Sequence, residues 1–164
     1  MNLSAYPGIF NSSNTKQRGD TAMPELKCVS QSIHVDLKTG CDIKNITQEV
    51  NNVIKENKIT IGMVNIFVIG STGSVTTIEY EPGVVEDLKH AINTLAPVGV
   101  EYAHEKAWHD GNGHSHVQAA LIGPSLTIPI HSGKMKLGTW QQLVAVNHDN
   151  HSRARKIEIT ITGV

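Results

Sequence analysis

Residues 59–97 read ITIGMVNIFVIGSTGSVTTIEYEPGVVEDLKHAINTLAP, a stretch that passes from strand to loop to strand to helix. Ile59 to Ile69 is dense in β-branched residues, the composition of a strand buried on both faces. Gly70-Ser71-Thr72-Gly73-Ser74 interrupts it, because glycine and short hydroxyl residues favour turns. Val75 to Tyr80 resumes as strand, so the two runs form a hairpin or a strand–loop–strand unit. Pro82 suits the first position of a helix, where its missing N–H would have had no partner. Val84, Val85, Leu88, Ile92 and Leu95 follow at helical spacing, and Ala96-Pro97 ends the run.

The same reading extends in both directions. Upstream, Val29, Gln31, Ile33, Val35 and Leu37 alternate from Lys27 onward, a strand that stops at Thr39-Gly40. Thr47 is placed to cap a helix running to about Asn57, with Val50, Val53 and Ile54 on one face. Downstream, Val117 to Ile122 reads as a short helix stopped by Gly123-Pro124. Leu126 to Ile130, Met135 to Leu137, Thr139 to Val146 and Ile157 to Ile161 read as four further strands, with a turn at Ser132-Gly133. Strands dominate and two or three helices are interposed, so the class is α+β. Residues 1–22 are rich in Asn, Ser and Thr without apolar periodicity and read as a poorly ordered extension, which leaves 23–164 as a single folded domain.

Composition narrows the functional classes. The length of 164 residues fits one domain. A net charge of −1 supplies no global attraction to nucleic acid or to a membrane surface. Aromatic residues make up 4%, which disfavours a base-stacking platform. No basic segment followed by an apolar run marks a signal peptide, and no apolar run approaches the roughly 18 residues that span a bilayer, so a cytoplasmic protein is expected. Cys28 and Cys41 are too far apart for a CxxC motif and read as two free, reduced thiols.

Histidine is the outlier. Nine occur, and His104, His109, His114 and His116 fall within the segment HEKAWHDGNGHSH. Neutral imidazole is the commonest side-chain donor to zinc, and a catalytic site takes about three protein ligands. His114 and His116 would point the same way in extended backbone but diverge by about 200° in a helix. Asp110-Gly111-Asn112-Gly113 favours non-helical backbone, so the two are expected to converge at a loop end, with His104 arriving from a preceding strand. A solvated polar loop whose histidines bind nothing is the alternative. His109, beside Trp108, reads as a packing or hydrogen-bonding group.

Several motifs occur together and in order: Tyr102-Ala103-His104, Trp108-His109-Asp110-Gly111-Asn112-Gly113-His114-Ser115-His116, Gly123-Pro124-Ser125, Ile128-Pro129 and Leu137-Gly138-Thr139-Trp140-Gln141-Gln142, followed by Arg153-Ala154-Arg155. With Glu79-Tyr80-Glu81-Pro82 they make residues 26–163 resemble the YjbQ family. The resemblance implies an α/β sandwich with a mostly antiparallel sheet, assembled as a homotrimer, and an activity described as secondary thiamine-phosphate synthase. One departure stands out: Gly70 occupies the place where many members carry a histidine, so that histidine's role does not transfer.

The resemblance also ranks residues. Glu79 matches a family glutamate and is expected as a general base, a metal ligand or the acceptor for a histidine; as a lone strand carboxylate it would be exposed. Ser71, Thr72 and the glycine-rich backbone can hold a phosphate, or can simply connect strands tightly. Trp140 and Gln141 form a pocket wall, or Trp140 is a core residue at a subunit contact. Arg155, with Arg153, clamps a phosphate or belongs to a solvated turn.

The function implied is a metal-dependent enzyme acting on a small phosphorylated, ring-containing molecule. Glu79, His104 and His116 would be catalytic; His104, His114 and His116 would hold the metal; Ser71, Thr72, Trp140, Gln141 and Arg155 would bind substrate. Imidazole-rich ligation suits zinc better than magnesium, which points toward a metal-dependent hydrolase rather than pyrophosphate displacement. The competing expectation is a non-catalytic metal- or ligand-binding homotrimer. Nucleic acid is a disfavoured partner.

Overall fold

Alternation of branched residues and helical spacing build twelve elements over the described residues. The computed structural model describes residues 24–164, and the expected extension over residues 1–22 lies outside them. In order they are β1 (Lys27–Leu37), β2 (Asp42–Asn45), α1 (Thr47–Glu56), β3 (Ile61–Val68), β4 (Gly73–Glu79), α2 (Pro82–Leu95), α3 (Glu105–Trp108), α4 (Gly113–Ile122), β5 (Ser125–His131), β6 (Lys134–Met135), β7 (Gln141–Asn147) and β8 (Arg153–Gly163). Every strand pairing is antiparallel. One sheet has the order β1-β8-β3-β5-β6 and the other β2-β7-β4.

The two sheets are held by one apolar core. Val64 and Ile66 of β3 and Ile157, Ile159 and Ile161 of β8 point inward from the larger sheet, where they meet Leu143 and Ala145 of β7 and Val50, Val53 and Ile54 of α1. Burying each such side chain contributes about 1.5–3 kcal/mol. The opposite face of the smaller sheet, Ile43, Val144 and Val146, packs against Val85 and Leu88 of α2. The fold is thus an α/β sandwich with helices on the outer side of the small sheet and at the ends of the core.

Several expectations are corrected. β3 is buried on one face only: Ile61 and Met63 are 58% and 57% exposed, because none of the described residues covers the outer side of the larger sheet there. β3 and β4 form no hairpin. The loop after Val68 carries the chain from one sheet to the other, so β3 pairs with β5 and β8 while β4 pairs with β7. Thr47 is not the cap of α1; Ile46 holds that position, and the Thr47 hydroxyl accepts the Leu143 N–H at 2.9 Å, tying helix to sheet. Among the described residues there are four helices rather than two or three, and α4 begins at Gly113, four residues earlier than expected. β2 was invisible in the sequence because its four residues carry one buried apolar side chain, Ile43. Cys28 and Cys41 are free, as expected. Among the described residues no helix is long and apolar enough to cross a membrane.

Candidate functional site

The early start of α4 decides where the histidines go. The Glu105 carboxylate accepts the N–H of Gly111 at 2.7 Å and of Gly113 at 3.0 Å, supplying partners at the helix entrance. These two bonds hold its carboxyl below the ordinary range. Gly113 is required there: a Cβ would stand 2.5 Å from Tyr102 Cβ. His114 and His116 are therefore both helical and diverge.

His114 is buried, tilted against the Tyr102 ring, with Nε2 3.2 Å from Ser115 Oγ. Burial pushes its pKa down, against the pull of Glu105 and Asp149. It opens onto a cleft of about 340 Å³ that also meets Cys41, Lys89, Gln118 and His148. His116 lies on the other side of α4, in a cleft of about 360 Å³ whose facing wall is Gly70, Ser71 and Gly73. Behind it, the ring of His104 sits 4.6 Å away, centre to centre. His104 precedes α3 at the end of a turn rather than of a strand, and its ring stacks on Trp108. Its Nε2 is 3.5 Å from Asp110 Oδ1, is sealed from solvent, and has no hydrogen-bond partner among the described residues.

The loop facing His116 is held from beneath. Gly70 has φ +127°, a conformation side chains disfavour, and Ser71 is exposed into the cleft. The N–H groups of Gly70, Ser71 and Thr72 donate to no acceptor among the described residues. Arg155, expected at a phosphate or in a solvated turn, is buried under this loop. Its Nη2 donates to the Thr72 carbonyl at 2.9 Å and to Thr72 Oγ1 at 2.8 Å, and its Nε to Asn147 Oδ1 at 3.0 Å. Nη1 lies 3.2 Å from where a Cβ on Gly70 would stand. The Thr72 hydroxyl donates to Asp149 Oδ2 at 2.8 Å, so both its hydrogen-bonding roles are occupied within the fold rather than offered to a ligand. Burial would raise the Asp149 pKa, but hydrogen bonds from Arg153, Thr72 and the His151 N–H outweigh it and bring it to about 2.

A second buried constellation adjoins this one. Ser74 Oγ lies 2.8 Å from His148 Nε2, and His148 Nδ1 lies 3.2 Å from Gln118 Oε1. Nucleophile, base and orienting amide are arranged as a catalytic triad requires. Ser74 is wholly buried and lines neither cleft, so the triplet fastens α4 to the small sheet. Burial, then the charges of Arg155 and His114, lower the His148 pKa to about 4 and keep the ring neutral.

With this geometry in view, comparison with known proteins is informative. The model of the YjbQ family, described as UPF0047 protein YjbQ-like, matches residues 31–164. The chain belongs to this family. It is 29% identical over 138 residues to a UPF0047 protein of Methanothermobacter thermautotrophicus, covering 84% of this chain and 94% of that one. It is 28% identical to UPF0047 protein YjbQ of Escherichia coli O157:H7, covering 72% and 86%. The crystal structure of a YbjQ-like protein of unknown function from Sulfolobus solfataricus P2 matches with a TM-score of 0.80 at 28% identity, covering 85% of this chain and all of that one. A hypothetical protein from Aeropyrum pernix K1 matches at 0.77.

The family is confirmed, and the expected function is corrected. These relatives carry the UPF0047 designation alone, and the Sulfolobus protein is described as of unknown function, so membership brings neither thiamine-phosphate synthesis nor metal-dependent catalysis. The geometry agrees. His104, His114 and His116 do not form a ligand set, because helical backbone turns His114 into the other cleft. Among the described residues no three His, Cys, Asp or Glu side chains stand together in a way that could hold a metal ion.

Ser71 shares a cleft with His116, but Glu79, Gln141 and Trp140 are not gathered with the histidines. Glu79 ends β4 opposite Gln141, six residues beyond Gly73, which is about 20 Å along a strand. No hydrogen bond or ion pair joins it to a histidine among the described residues. Gln141 is occupied locally: its Nε2 donates to Thr77 Oγ1 at 2.7 Å, and its Oε1 accepts the Gly138 N–H at 3.1 Å. Trp140 is 71% exposed and belongs to no core among the described residues. Asp110, His148, Asp149, Ser74 and Gln118 escaped the sequence reading. Asn147-His148-Asp149, polar residues continuing an apolar strand without a turn glycine, were the one available signal.

Proposed function

We propose that the cleft between the Gly70–Gly73 loop and α4 binds a small molecule through a carboxylate or phosphate group and exchanges a proton with it through His116. The observation that carries this reading is His104 Nε2. It is sealed from solvent and unpartnered, beside Asp110, with its ring packed on His116 at the edge of the cleft. A buried polar atom left unsatisfied is costly, and it is tolerated most often where a ligand or a proton is to be handled. On the facing wall Gly70 and Ser71 line the cleft, and their backbone N–H groups have no acceptor among the described residues. The Arg155 guanidinium lies behind the loop, an arrangement that favours an oxyanion. His116 is the residue that would touch the ligand, with His104 and Asp110 positioning it.

The test is calorimetric titration of the full chain with inorganic phosphate and with acetate, repeated on His116→Ala and on Ser71→Pro, which removes one loop N–H. Saturable binding of either anion, weakened at least about tenfold in both variants, supports the reading. Binding that both variants leave intact overturns it.

We also infer that the chain works as a homotrimer. Ile61, Met63 and Phe67 form an exposed apolar stripe along β3, on a sheet face that no element among the described residues covers. Light scattering should give a mass near three times 17.8 kDa, falling to that of one chain in Met63→Lys with Phe67→Lys. A monomeric wild-type protein would refute it.

A further inference from the structure

A separate cleft of about 510 Å³ lies on the far side of α1 from the core, lined by Gln48, Asn52, Lys55, Lys58, Thr60 and Lys134 among others. Its construction follows from the sequence. Gln48, Asn51, Asn52 and Lys55 recur at the helical spacing opposite to Val50, Val53 and Ile54, so α1 presents a polar stripe to solvent. Lys58, with φ +55°, ends the helix in the left-handed conformation and doubles the chain back, bringing its side chain to the same cleft. Ser132-Gly133, both at positive φ, form the hairpin turn that delivers Lys134.

The walls are pinned to each other. Asn51 Oδ1 accepts the Met135 N–H at 3.0 Å, and the Thr60 carbonyl accepts the Gly133 N–H at 3.1 Å. The cleft is therefore preformed, with helix, helix exit and hairpin fixed by hydrogen bonds rather than left to collapse. Lys55, Lys58 and Lys134 all line it, and none of the three has a carboxylate within 4 Å among the described residues. Three like charges converging on one preformed hollow are mutually unfavourable unless an anion joins them.

We propose that this cleft binds a compact polyanion carrying two or three phosphoryl groups. Lysine is a point-charge phosphate binder, and the amides of Gln48 and Asn52 add neutral donors. The volume falls in the range of small-molecule sites. No aromatic side chain lines it, so the affinity resides in the phosphoryl oxygens and not in a stacked base. The site is independent of the histidine cleft and shares no lining residue with it.

Tripolyphosphate is the probe, titrated against the full chain by calorimetry at low and moderate salt. One molecule is expected in this cleft, distinct from any bound at the histidine cleft and retained in His116→Ala. Its affinity falls as salt rises and drops about five- to tenfold in each of Lys55→Gln and Lys134→Gln. Lys106→Gln, on another face, and His116→Ala should leave it unchanged. These lysines are exposed, so the variants keep the fold, which circular dichroism checks. Absence of saturable binding overturns the proposal. So does equal weakening by Lys106→Gln, which marks unspecific charge, or loss on His116→Ala, which places the probe in the other cleft. Tighter binding of a single-stranded oligonucleotide than of tripolyphosphate would overturn the assignment to a compact ligand.

Discussion

His114 and His116 stand two residues apart on one helix and open onto different clefts. That divergence divides what looked like a single cluster into a buried imidazole packed on Tyr102 and Ser115 and one that faces the Gly70–Gly73 loop. Replacing them should therefore have different consequences. His114→Ala removes the contact with Tyr102 and the Ser115 partner and should cost about 1–3 kcal/mol in urea unfolding, with anion binding intact in the folded fraction. His116→Ala should leave stability within about 0.5 kcal/mol and abolish anion binding. Equal effects on both properties in both variants would argue against the division.

Acid should destabilise the fold before the carboxylates protonate. His148 is held neutral, with its pKa lowered from 6.5 to about 4 by burial and then by the Arg155 and His114 charges. Below the unfolded value of 6.5 the unfolded chain takes up the proton and the folded one does not, so stability falls as pH drops from 6.5 toward 4. His114, lowered in the same direction, adds to the slope. The loss attributable to His148 alone is about 3 kcal/mol. Chemical denaturation at pH 7.0 and pH 4.5 measures it, and a flat profile over that interval would contradict the assignment. Asp149, whose pKa is lowered to about 2, contributes a separate loss only below pH 3.8.

Asp149→Asn should be among the most damaging isosteric changes. It leaves Arg155 buried with its charge uncompensated and puts an NH2 donor in place of one of the two carboxylate oxygens that accept from Thr72, Arg153 and the His151 N–H. Breaking a buried pair from one side costs about 3–5 kcal/mol. Because the same network supports the Gly70–Gly73 loop, anion affinity should also fall in whatever folded protein remains. A stable variant with unaltered binding would separate the network from the loop.

Gly62→Ala tests the register of the larger sheet. A Cβ there would meet the Thr162 carbonyl oxygen at 2.2 Å and Gly163 Cα at 2.7 Å, so β3 and β8 must spread apart. A loss of about 3 kcal/mol is expected by thermal or chemical unfolding. Loss below about 0.5 kcal/mol would mean that the two strands are not paired as described.

The fold was legible where periodicity was strong and opaque where tertiary partners decided. β8 follows from alternation, because Ile157, Ile159 and Ile161 set the period and also fill the core. β1 and α2 follow from alternation and helical spacing, although only Val35, Leu37 and Ile92 among their periodic residues are fully buried. β3 misled: its continuous apolar run resembles a central strand, and only its place in the sheet reveals that Ile61, Met63 and Phe67 face outward. α4 misled more seriously. Asp110-Gly111-Asn112-Gly113 is indeed a turn, but Glu105, eight residues before Gly113, supplies the hydrogen bonds that let a helix start immediately after it. That long-range partner reversed the expected convergence of His114 and His116. The Arg155–Asp149–Thr72 network was equally hidden, since its members are 83 and 77 residues apart in sequence.

The central claim is that His116 and the Gly70–Thr72 backbone form one anion-binding site. Heteronuclear magnetic resonance of the full chain during a titration with inorganic phosphate tests it most directly. The His116 imidazole resonances and the amide resonances of Gly70, Ser71 and Thr72 are expected to move together along one saturation curve, while those of His114 and His148 stay in place. Saturation with the His116 and loop resonances unmoved, or with His114 and His148 moving instead, would contradict it.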